Sequence, residues 1–318
     1  MEAAEKGGPS MILSASRRTD LPSLYGPWLL GRLEAGEVLI PQPYRARHAT
    51  RLLFSPETVD AIVFWTKNLI PFLPLLGEVE ALGYRDFLFQ YTITALDTHW
   101  EPGLPPLEER LAAFEQLAQR WGPARVDWRF DPILLDSQRT PAWYARRFEA
   151  LCRRLAPCTT RCVLSFVDHY AHNGSLFQEA APAQLEEAAA RLGEVAAKYS
   201  LPLYTCAEAG DYTAYGIRHG ACIDGQRLGR LVGCPLQAKK DSGQRPACGC
   251  VESVDIGAYN TCVNGCRYCY ATRSPATAAR QYAAHHPRSP MLTGWPEEDW
   301  VLTEKRPPSL KREQLSLF

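Results

Sequence analysis

The sequence lacks an excess of charge of either sign, and it also lacks long apolar runs. Its 318 residues include 35 Lys and Arg and 35 Asp and Glu, so the formal net charge is zero. This balance excludes a uniformly basic nucleic-acid-binding protein, and any basic surface must be local. No apolar run reaches the roughly 18 residues that a membrane-spanning helix needs. The polar start, MEAAEKGGPS, contains no apolar segment typical of an export signal. We therefore expect a cytoplasmic protein without a membrane partner.

Cysteine, by contrast, is abundant, with 11 in the chain. Structural disulfides are not expected in a reducing compartment, and the odd number argues against complete pairing. Cys152, Cys158 and Cys162 lie around a predicted helix end and strand start, and we interpret them as small buried apolar residues. The remaining cysteines all lie from Cys206 onwards. Metal ligation is the economical interpretation of that second set.

Short apolar runs rich in β-branched and aromatic residues recur along the chain and predict strands. Their apolarity is continuous, which is typical of strands covered on both faces in a parallel sheet. Amphipathic helical patterns lie between them, for example at 105–122 and 181–200. Strand–helix alternation repeated seven times predicts a (β/α) barrel or a doubly wound sheet. The predicted strands are at 11–16, 61–68, 87–96, 125–134, 161–170, 202–209 and 254–260.

Polar groups at the ends of these runs favour the barrel. In (β/α) barrels the active site is assembled from residues at the carboxyl ends of several strands. Asn68 and Asp168 are also good helix-capping residues, which is the alternative for those two. The polar strand ends include Arg17 to Asp20, Thr66 to Asn68, Thr92, Thr94, Arg129, Asp131, Asp168, His169, Cys206 and Glu208.

The expected organisation is one large α/β domain with short peripheral segments. We expect a disordered tail over 1–10 and a barrel over 11–274 that contains a cysteine-rich insertion at about 206–250. A peripheral arm is expected over 275–304, and a flexible C-terminal tail over 305–318.

The loop TCVNGCRYCYATRS at 261–274 carries the sharpest motif. Cys262, Cys266 and Cys269 are spaced C-x₃-C-x₂-C. Three thiolates on a short loop can hold three irons of a 4Fe–4S cluster and leave the fourth iron open to a substrate or cofactor. The alternative is a zinc site, for which His285 or His286 is a candidate fourth ligand.

CVNGCRYC resembles the signature of radical S-adenosylmethionine (SAM) enzymes, with Tyr268 in the aromatic position. The stretch from Thr92 to Ile133 is similar to the spore-photoproduct-lyase-like branch of these enzymes. The shared elements are Thr92 to Thr94, Glu101-Pro102, Arg110-Leu111 and Asp131-Pro132-Ile133, and FWTKN at 64–68 resembles a strand end of the same branch. The whole chain also resembles a bacterial family of unknown function that carries its cysteine triad near the C-terminus.

The resemblance implies a 4Fe–4S cluster on Cys262, Cys266 and Cys269, with SAM bound at the open iron. Reductive cleavage of SAM would yield a 5′-deoxyadenosyl radical that abstracts hydrogen from a substrate, with an electron donor such as flavodoxin or ferredoxin. In most relatives the cysteine loop follows the first strand, whereas here the preceding strand, VDIGAYN, comes last. The expected fold is therefore a partial (β/α) TIM-type barrel that is circularly permuted.

The resemblance also suggests residues that bind SAM. Thr19 and Asp20 stand where relatives use a Gly-Gly-Glu-Pro stretch for the SAM amino group, although Asp20 is equally suited to cap a helix. Arg129 has the planar guanidinium that suits the SAM carboxylate, unless it is paired with Asp131 or Asp127.

Four further positions complete the expected SAM pocket, and one of them is Tyr268 of the cysteine motif. Thr92 and Thr94 are candidates for the ribose hydroxyls, or else ordinary strand residues. Lys67 is expected to line the pocket or to be solvated.

A second thiolate set is predicted from Cys206, Cys222, Cys248 and Cys250. These residues would hold an auxiliary 4Fe–4S cluster or a structural zinc ion. Cys206 has a competing role as a hydrogen-atom donor to a substrate radical, which a metal-bound thiolate cannot perform.

The last five residues, Gln314, Leu315, Ser316, Leu317 and Phe318, resemble the motif that binds the bacterial DNA sliding clamp. With the lyase resemblance, this motif implies a radical SAM enzyme that repairs or modifies DNA. Two alternatives remain open: a radical SAM enzyme acting on RNA, a peptide or a metabolite, and a zinc-stapled nucleic-acid-binding protein without catalysis.

Overall fold

The computed structural model describes residues 11–311, which form an α/β structure with two sheets. The strands are β1 Ile12–Ala15, β2 Glu37–Pro41, β3 His48–Leu53, β4 Ala61–Thr66, β5 Phe87–Thr92, β6 Val126–Ile133, β7 Cys162–Phe166, β8 Leu203–Cys206, β9 Ile217–Gly220, β10 Val254–Asp255 and β11 Val301–Lys305. The α-helices are α1 Leu21–Leu24, α2 Gly26–Ala35, α3 Leu76–Ala81, α4 Leu107–Trp121, α5 Pro141–Leu155, α6 Pro182–Lys198, α7 Gly225–Val232 and α8 Pro275–Ala283.

The larger sheet has eight parallel strands in the order β10-β1-β4-β5-β6-β7-β8-β9. Each run that predicted a strand contains one of these strands, so the α/β class is confirmed. The additional strand is β9, whose sequence Ile217-Arg218-His219-Gly220 has only one apolar residue and gives no apolar run. Among the described residues β9 and β10 each have one neighbour, so the sheet is open between them.

The position of β10 explains the late cysteine loop. This strand lies beside β1, with Leu13 opposite Val254 and Ser14 opposite Asp255. When β10 is counted first, the spatial order of the strands follows the order of the chain. The carboxyl ends of parallel strands meet at one edge, so the loop after β10 lies at the same edge as the polar strand ends.

The two faces of the sheet are covered by different parts of the chain. On one face, aromatic residues such as Phe64, Phe89 and Trp128 pack against helices α2 to α6 in the main core. On the other face, Val63 and Leu88 pack against the insertion that follows β9. Side chains alternate between the faces of a strand. Burial on both sides therefore accounts for the continuous apolar runs.

The predicted amphipathic helices are present, with the expected ends. Helix α4 begins after Pro106 and ends at Gly122, and its inward residues include Leu111 and Phe114. Leu107, expected on the same face, is more than one-third exposed because it lies in the first turn. No helix among residues 11–311 is long and apolar enough to cross a membrane.

The smaller sheet was not predicted. Strands β2 and β3 form an antiparallel hairpin, and β11 pairs parallel to β3, so the arm at 275–304 contributes a strand. Further along, Ser309 and the backbone amide of Leu310 both bind the buried carboxylate of Asp60. The chain is thereby held as far as Lys311, which pairs with Leu236. The expected N-terminal tail over 1–10 and the motif at 314–318 lie outside the described residues.

Candidate metal centres

The loop with the C-x₃-C-x₂-C motif begins at a carboxylate that joins β10 to the end of β1. Asp255 accepts hydrogen bonds from the Ser14 hydroxyl at 3.1 Å, from the Ser16 hydroxyl and from the backbone amide of Arg17 at 2.9 Å. It also accepts from the backbone amide of Gly257 at 3.0 Å. A single acidic side chain thus fixes the start of the loop, and sequence reasoning had assigned it no role.

The middle of this loop packs against the segment that follows β5. The Gly103 amide donates to the Asn264 carbonyl at 2.9 Å, and the Arg267 amide donates to the Trp100 carbonyl at 3.0 Å. A Cβ atom on Gly103 would lie 2.6 Å from the Asn264 carbonyl oxygen, so only glycine permits this approach. Gly265, between the first two cysteines, has a φ of +69° that also favours glycine.

The end of the loop is held by the segment that follows β7. The ring of His172 hydrogen bonds to the Cys269 carbonyl at 2.8 Å, and the Asn173 amide group donates to the Tyr268 carbonyl at 3.0 Å. Asn173 is fully buried. Neither residue was singled out from the sequence, because their loop follows the predicted strand without any recognisable motif.

The three thiols of the motif lie near one another at this edge. Burial, together with the carboxylate of Asp20, raises the pKa of Cys262 to about 12. Burial also raises the pKa of Cys266, opposed by the ammonium group of Lys67. Backbone amides of Asp20 and Asn264 donate to the Cys262 sulfur, and the Ala271 amide donates to the Cys269 sulfur at 3.4 Å.

A buried ionic cluster lies directly behind the cysteine loop. Glu101 forms an ion pair with Lys67 at 3.0 Å and another with Arg110 at 3.6 Å, and it accepts a hydrogen bond from the Tyr268 hydroxyl. The Lys67 ammonium lies 5.4 Å from the centre of the Tyr268 ring. Burial opposes ionisation of Glu101, but these neighbours outweigh it and lower its pKa. In the sequence, Glu101 stood out only as part of a Glu-Pro motif. In the structure it contacts both Lys67 and Tyr268, two of the predicted pocket residues.

Thr19 and Asp20 lie beside the same loop. The Asp20 carboxylate caps α1 at the Ser23 amide, 3.0 Å away, and accepts from the Lys67 amide at 2.8 Å and the Asn264 side chain at 3.4 Å. Its helix-capping role is therefore present, and burial raises its pKa to about 6. The hydroxyl of Thr19 is buried and has no hydrogen-bond partner among residues 11–311.

Thr92 and Thr94, the candidates for ribose contacts, are both buried at the end of β5. The Thr94 hydroxyl accepts a hydrogen bond from the Leu96 amide at 3.3 Å. This contact turns the chain away from the strand.

Arg129 lies at the other cysteine group rather than at the triad. Its guanidinium donates to the Cys222 sulfur and to the Asp131 carboxylate, and it stacks 5.3 Å from the centre of the Trp65 ring. The pairing with Asp131 was the alternative considered from the sequence. Because the guanidinium donors of Arg129 already have partners, the position of Arg129 does not favour the expected contact with a SAM carboxylate.

The second cysteine group is compact. The sulfur atoms of Cys206, Cys248 and Cys250 all lie within 4.8 Å of one another, and this group could hold a metal ion or cluster. Cys222 contacts the Cys206 and Cys250 thiols. Hydrogen bonding with the Cys206 thiol lowers the pKa of Cys248, and the same type of contact lowers the pKa of Cys250.

The remaining cysteines, and the histidine considered as a zinc ligand, belong to neither cysteine group. Cys152 and Cys162 are fully buried in the main core, and the thiol of Cys158 donates to the Arg154 carbonyl. His285 hydrogen bonds to the Leu292 carbonyl at 2.7 Å and packs edge-on against Tyr25.

The protein is thus an α/β protein with a large parallel sheet and two groups of cysteines. The chain matches the family model described as Domain of unknown function (DUF1848) over residues 12–271, and it belongs to that family. No curated protein matches the sequence. A crystal structure of a triazine hydrolase variant matches at 14% identity, over 70% of this chain and 55% of that chain, with a TM-score of 0.31. The chain thus spans about half of that structure, and so low a score supports no conclusion about fold or function.

Proposed function

We propose that this protein is a radical SAM enzyme, with Cys262, Cys266 and Cys269 as the ligands of its 4Fe–4S cluster. The observation that carries the proposal is the position of the triad. Its loop follows the strand next to β1 and lies at the carboxyl edge of eight parallel strands. Active sites of barrel enzymes are built at that edge. A partial, circularly permuted TIM-type barrel is the finer fold that this proposal includes.

The donor set suits such a cluster. Among residues 11–311 these three sulfurs do not form a group within 4.8 Å of one another. Ligands of three different irons need not lie that close together. The backbone N–H groups directed at the sulfurs of Cys262 and Cys269 would stabilise thiolates. The unpartnered hydroxyl of Thr19 is a free polar group on the same side.

The residues around the triad have structural tasks in this proposal. Glu101 holds Lys67 and Tyr268 in fixed positions behind the loop, and it is itself held by Arg110. This buried cluster lies against Cys266 on the inner side of the loop. When bound, a 4Fe–4S cluster with an open iron would supply the electron for reductive SAM cleavage.

For the substrate, we propose DNA, with recruitment by the sliding clamp through Gln314 to Phe318. The support is the sequence motif and the chain that leads to it. The chain that leads to it is held by hydrogen bonds as far as Lys311. Flavodoxin or ferredoxin is the expected class of electron donor. RNA, a peptide or a metabolite is the alternative substrate class.

The activity is tested with anaerobically reconstituted protein and three single variants, Cys262→Ala, Cys266→Ala and Cys269→Ala. Each variant should lose iron, and 5′-deoxyadenosine production from SAM and a reductant should fall to the level without protein. Cys158→Ala is the matched control and should retain both properties. If the triple variant produces 5′-deoxyadenosine at the wild-type rate, the proposal is wrong.

Recruitment is tested separately by binding to the purified sliding clamp. The full chain should be retained, whereas a chain ending at Glu313 should not. Equal retention of the two chains, or retention of neither, would refute recruitment while leaving the SAM chemistry untouched.

A further inference from the structure

The second cysteine group has the dimensions of a site for a single ion. A tetrahedral zinc ion with Zn–S bonds of about 2.3 Å places its sulfurs about 3.8 Å apart. The sulfurs of Cys206, Cys248 and Cys250 lie within 4.8 Å of one another. A 4Fe–4S cluster puts each thiolate on a different iron, and its sulfurs must be further apart. The observed spacing therefore favours one ion over a cluster.

Cys222 supplies the fourth thiolate. It is buried in the same side-chain cluster as Cys248 and Cys250, against which Cys206 packs, although its sulfur is not part of the group within 4.8 Å. The Cys222 carbonyl is held from the sheet by the Gln90 side chain at 2.9 Å, and the Ala221 carbonyl by Arg161 at 3.0 Å. A set of four thiolates leaves no open position, which is the pattern of a structural zinc site.

Groups around the four cysteines provide the hydrogen bonds and charge that such a site needs. The Ile223 amide donates to the Cys250 sulfur at 3.4 Å, and Arg129 donates to the Cys222 sulfur. A zinc ion with four thiolates carries a net charge of −2, which requires nearby cations when it is buried. The guanidinium groups of Arg129 and Arg17 are two such cations. The pKa of Arg17 is raised partly by Cys250.

We propose that Cys206, Cys222, Cys248 and Cys250 form a closed mononuclear zinc site that fastens the insertion to the open face of the large sheet. Cys206 closes β8, whereas the other three ligands belong to the insertion. The segment from Gly233 to Ser253 contains no helix or strand. Its ties to the rest of the fold include the bridge from Leu236 to Lys311, the hydrogen bond from the Val251 amide to the Ile223 carbonyl and the ion pair between Asp241 and Arg17. A shared ion cross-links this segment to the sheet, and metal binding then contributes directly to folding.

This inference does not rest on the proposed radical chemistry. It assigns Cys206 to the metal, and Cys206 is then not a hydrogen-atom donor. It also assigns a different metal to each cysteine group, iron to the triad and zinc to the second group.

The first test is metal analysis of the full chain purified without added metal. The wild type and the variant with all three triad cysteines replaced by alanine should both retain one equivalent of zinc. The double variant Cys248→Ser/Cys250→Ser should lose it, whereas Cys234→Ser, a change in the same insertion outside the ligand set, should retain it. Loss of iron and sulfide instead of zinc from the double variant, or no metal in any of these proteins, would overturn the proposal.

The fourth ligand is tested by replacing zinc with cobalt(II), whose visible spectrum reports the number of thiolate ligands. The wild type should show the spectrum of a tetrahedral four-thiolate site. Cys222→Ser should shift the bands and reduce the thiolate-to-cobalt charge-transfer intensity by about one quarter, since one of four ligands changes. An unchanged spectrum in Cys222→Ser would show that Cys222 is not a ligand.

Discussion

The two cysteine groups differ in how their residues are brought together. The triad lies within one loop, from Cys262 to Cys269, and the side chains are half-buried at the edge of the sheet. The second group draws on residues from Cys206 to Cys250, and three of its four members are buried between the insertion and the sheet. A local group can be recognised from its spacing, whereas a dispersed group becomes a site only when the chain has folded.

The contacts that hold the two cysteine groups in place also differ. The triad loop is held by backbone contacts with neighbouring loops, including the close approach at Gly103. The second group lies near buried charged side chains of the large sheet. Asp127 is fully buried and binds Arg161 at 2.6 Å, Arg227, and the Gln90 side chain at 2.7 Å. We therefore expect added volume at Gly103 to disturb the triad loop, and loss of charge at Asp127 to disturb the second group.

The largest effect is expected for Asp127→Ala. This change leaves Arg161 and Arg227 without their buried partner, which should lower the free energy of unfolding by about 3–5 kcal/mol. Urea denaturation measures this loss. Zinc content should fall, while iron at the triad should be retained in the folded fraction.

A matched control for Asp127→Ala is Glu187→Ala. Glu187 forms an exposed pair with Arg191 one helical turn away, and its removal should cost less than about 0.5 kcal/mol. Similar losses for the two variants would contradict the role given to the buried charges.

Gly103→Ala tests the shape of the triad support. The added Cβ atom meets the Asn264 carbonyl oxygen at 2.6 Å, and the loop must move. We expect a loss of about 1–3 kcal/mol in unfolding free energy, together with weaker iron retention and unchanged zinc. In Gly31→Ala, a helix position with open space, stability should stay the same or rise by up to about 1 kcal/mol. Equal behaviour of the two variants would remove the steric explanation.

Trypsin sensitivity compares the insertion with and without its metal. Lys239 and Lys240 are exposed in the segment that lacks regular structure. In Cys248→Ser/Cys250→Ser, cleavage at these sites should be about tenfold faster, which corresponds to about 1.4 kcal/mol of local stability. Cys234→Ser should be cleaved at the wild-type rate. No difference between the two variants would mean that the metal does not hold the insertion.

The smallest effect is expected for Cys152→Ala, which belongs to neither group. Loss of one buried sulfur should cost about 1 kcal/mol and change neither iron nor zinc. Because burial raises the pKa of Cys152 to about 12, its thiol should also resist alkylation at neutral pH. A change in metal content would show that this cysteine had been wrongly separated from the ligands.

Much of the fold could be predicted from the sequence, because each large-sheet strand except β9 lies in a run rich in apolar residues, although charged residues interrupt β6. The hairpin β2–β3 and strand β11 were missed. The side chains of β2 and β3 are only partly buried, and those of β11 are exposed throughout. Such segments are fixed by pairing with each other rather than by their own apolar pattern.

The sequence by itself determined the parallel α/β class and the local C-x₃-C-x₂-C loop, because apolar periodicity and short spacing act between near neighbours. The tertiary structure alone decided that β10 lies beside β1, which brings a late loop to the edge formed by early strands. It also decided that Arg129 faces Cys222 rather than the triad and that Glu101 joins Lys67 to Tyr268. These contacts join residues far apart in the chain, and only the packing of the sheet and its insertion brings them within reach.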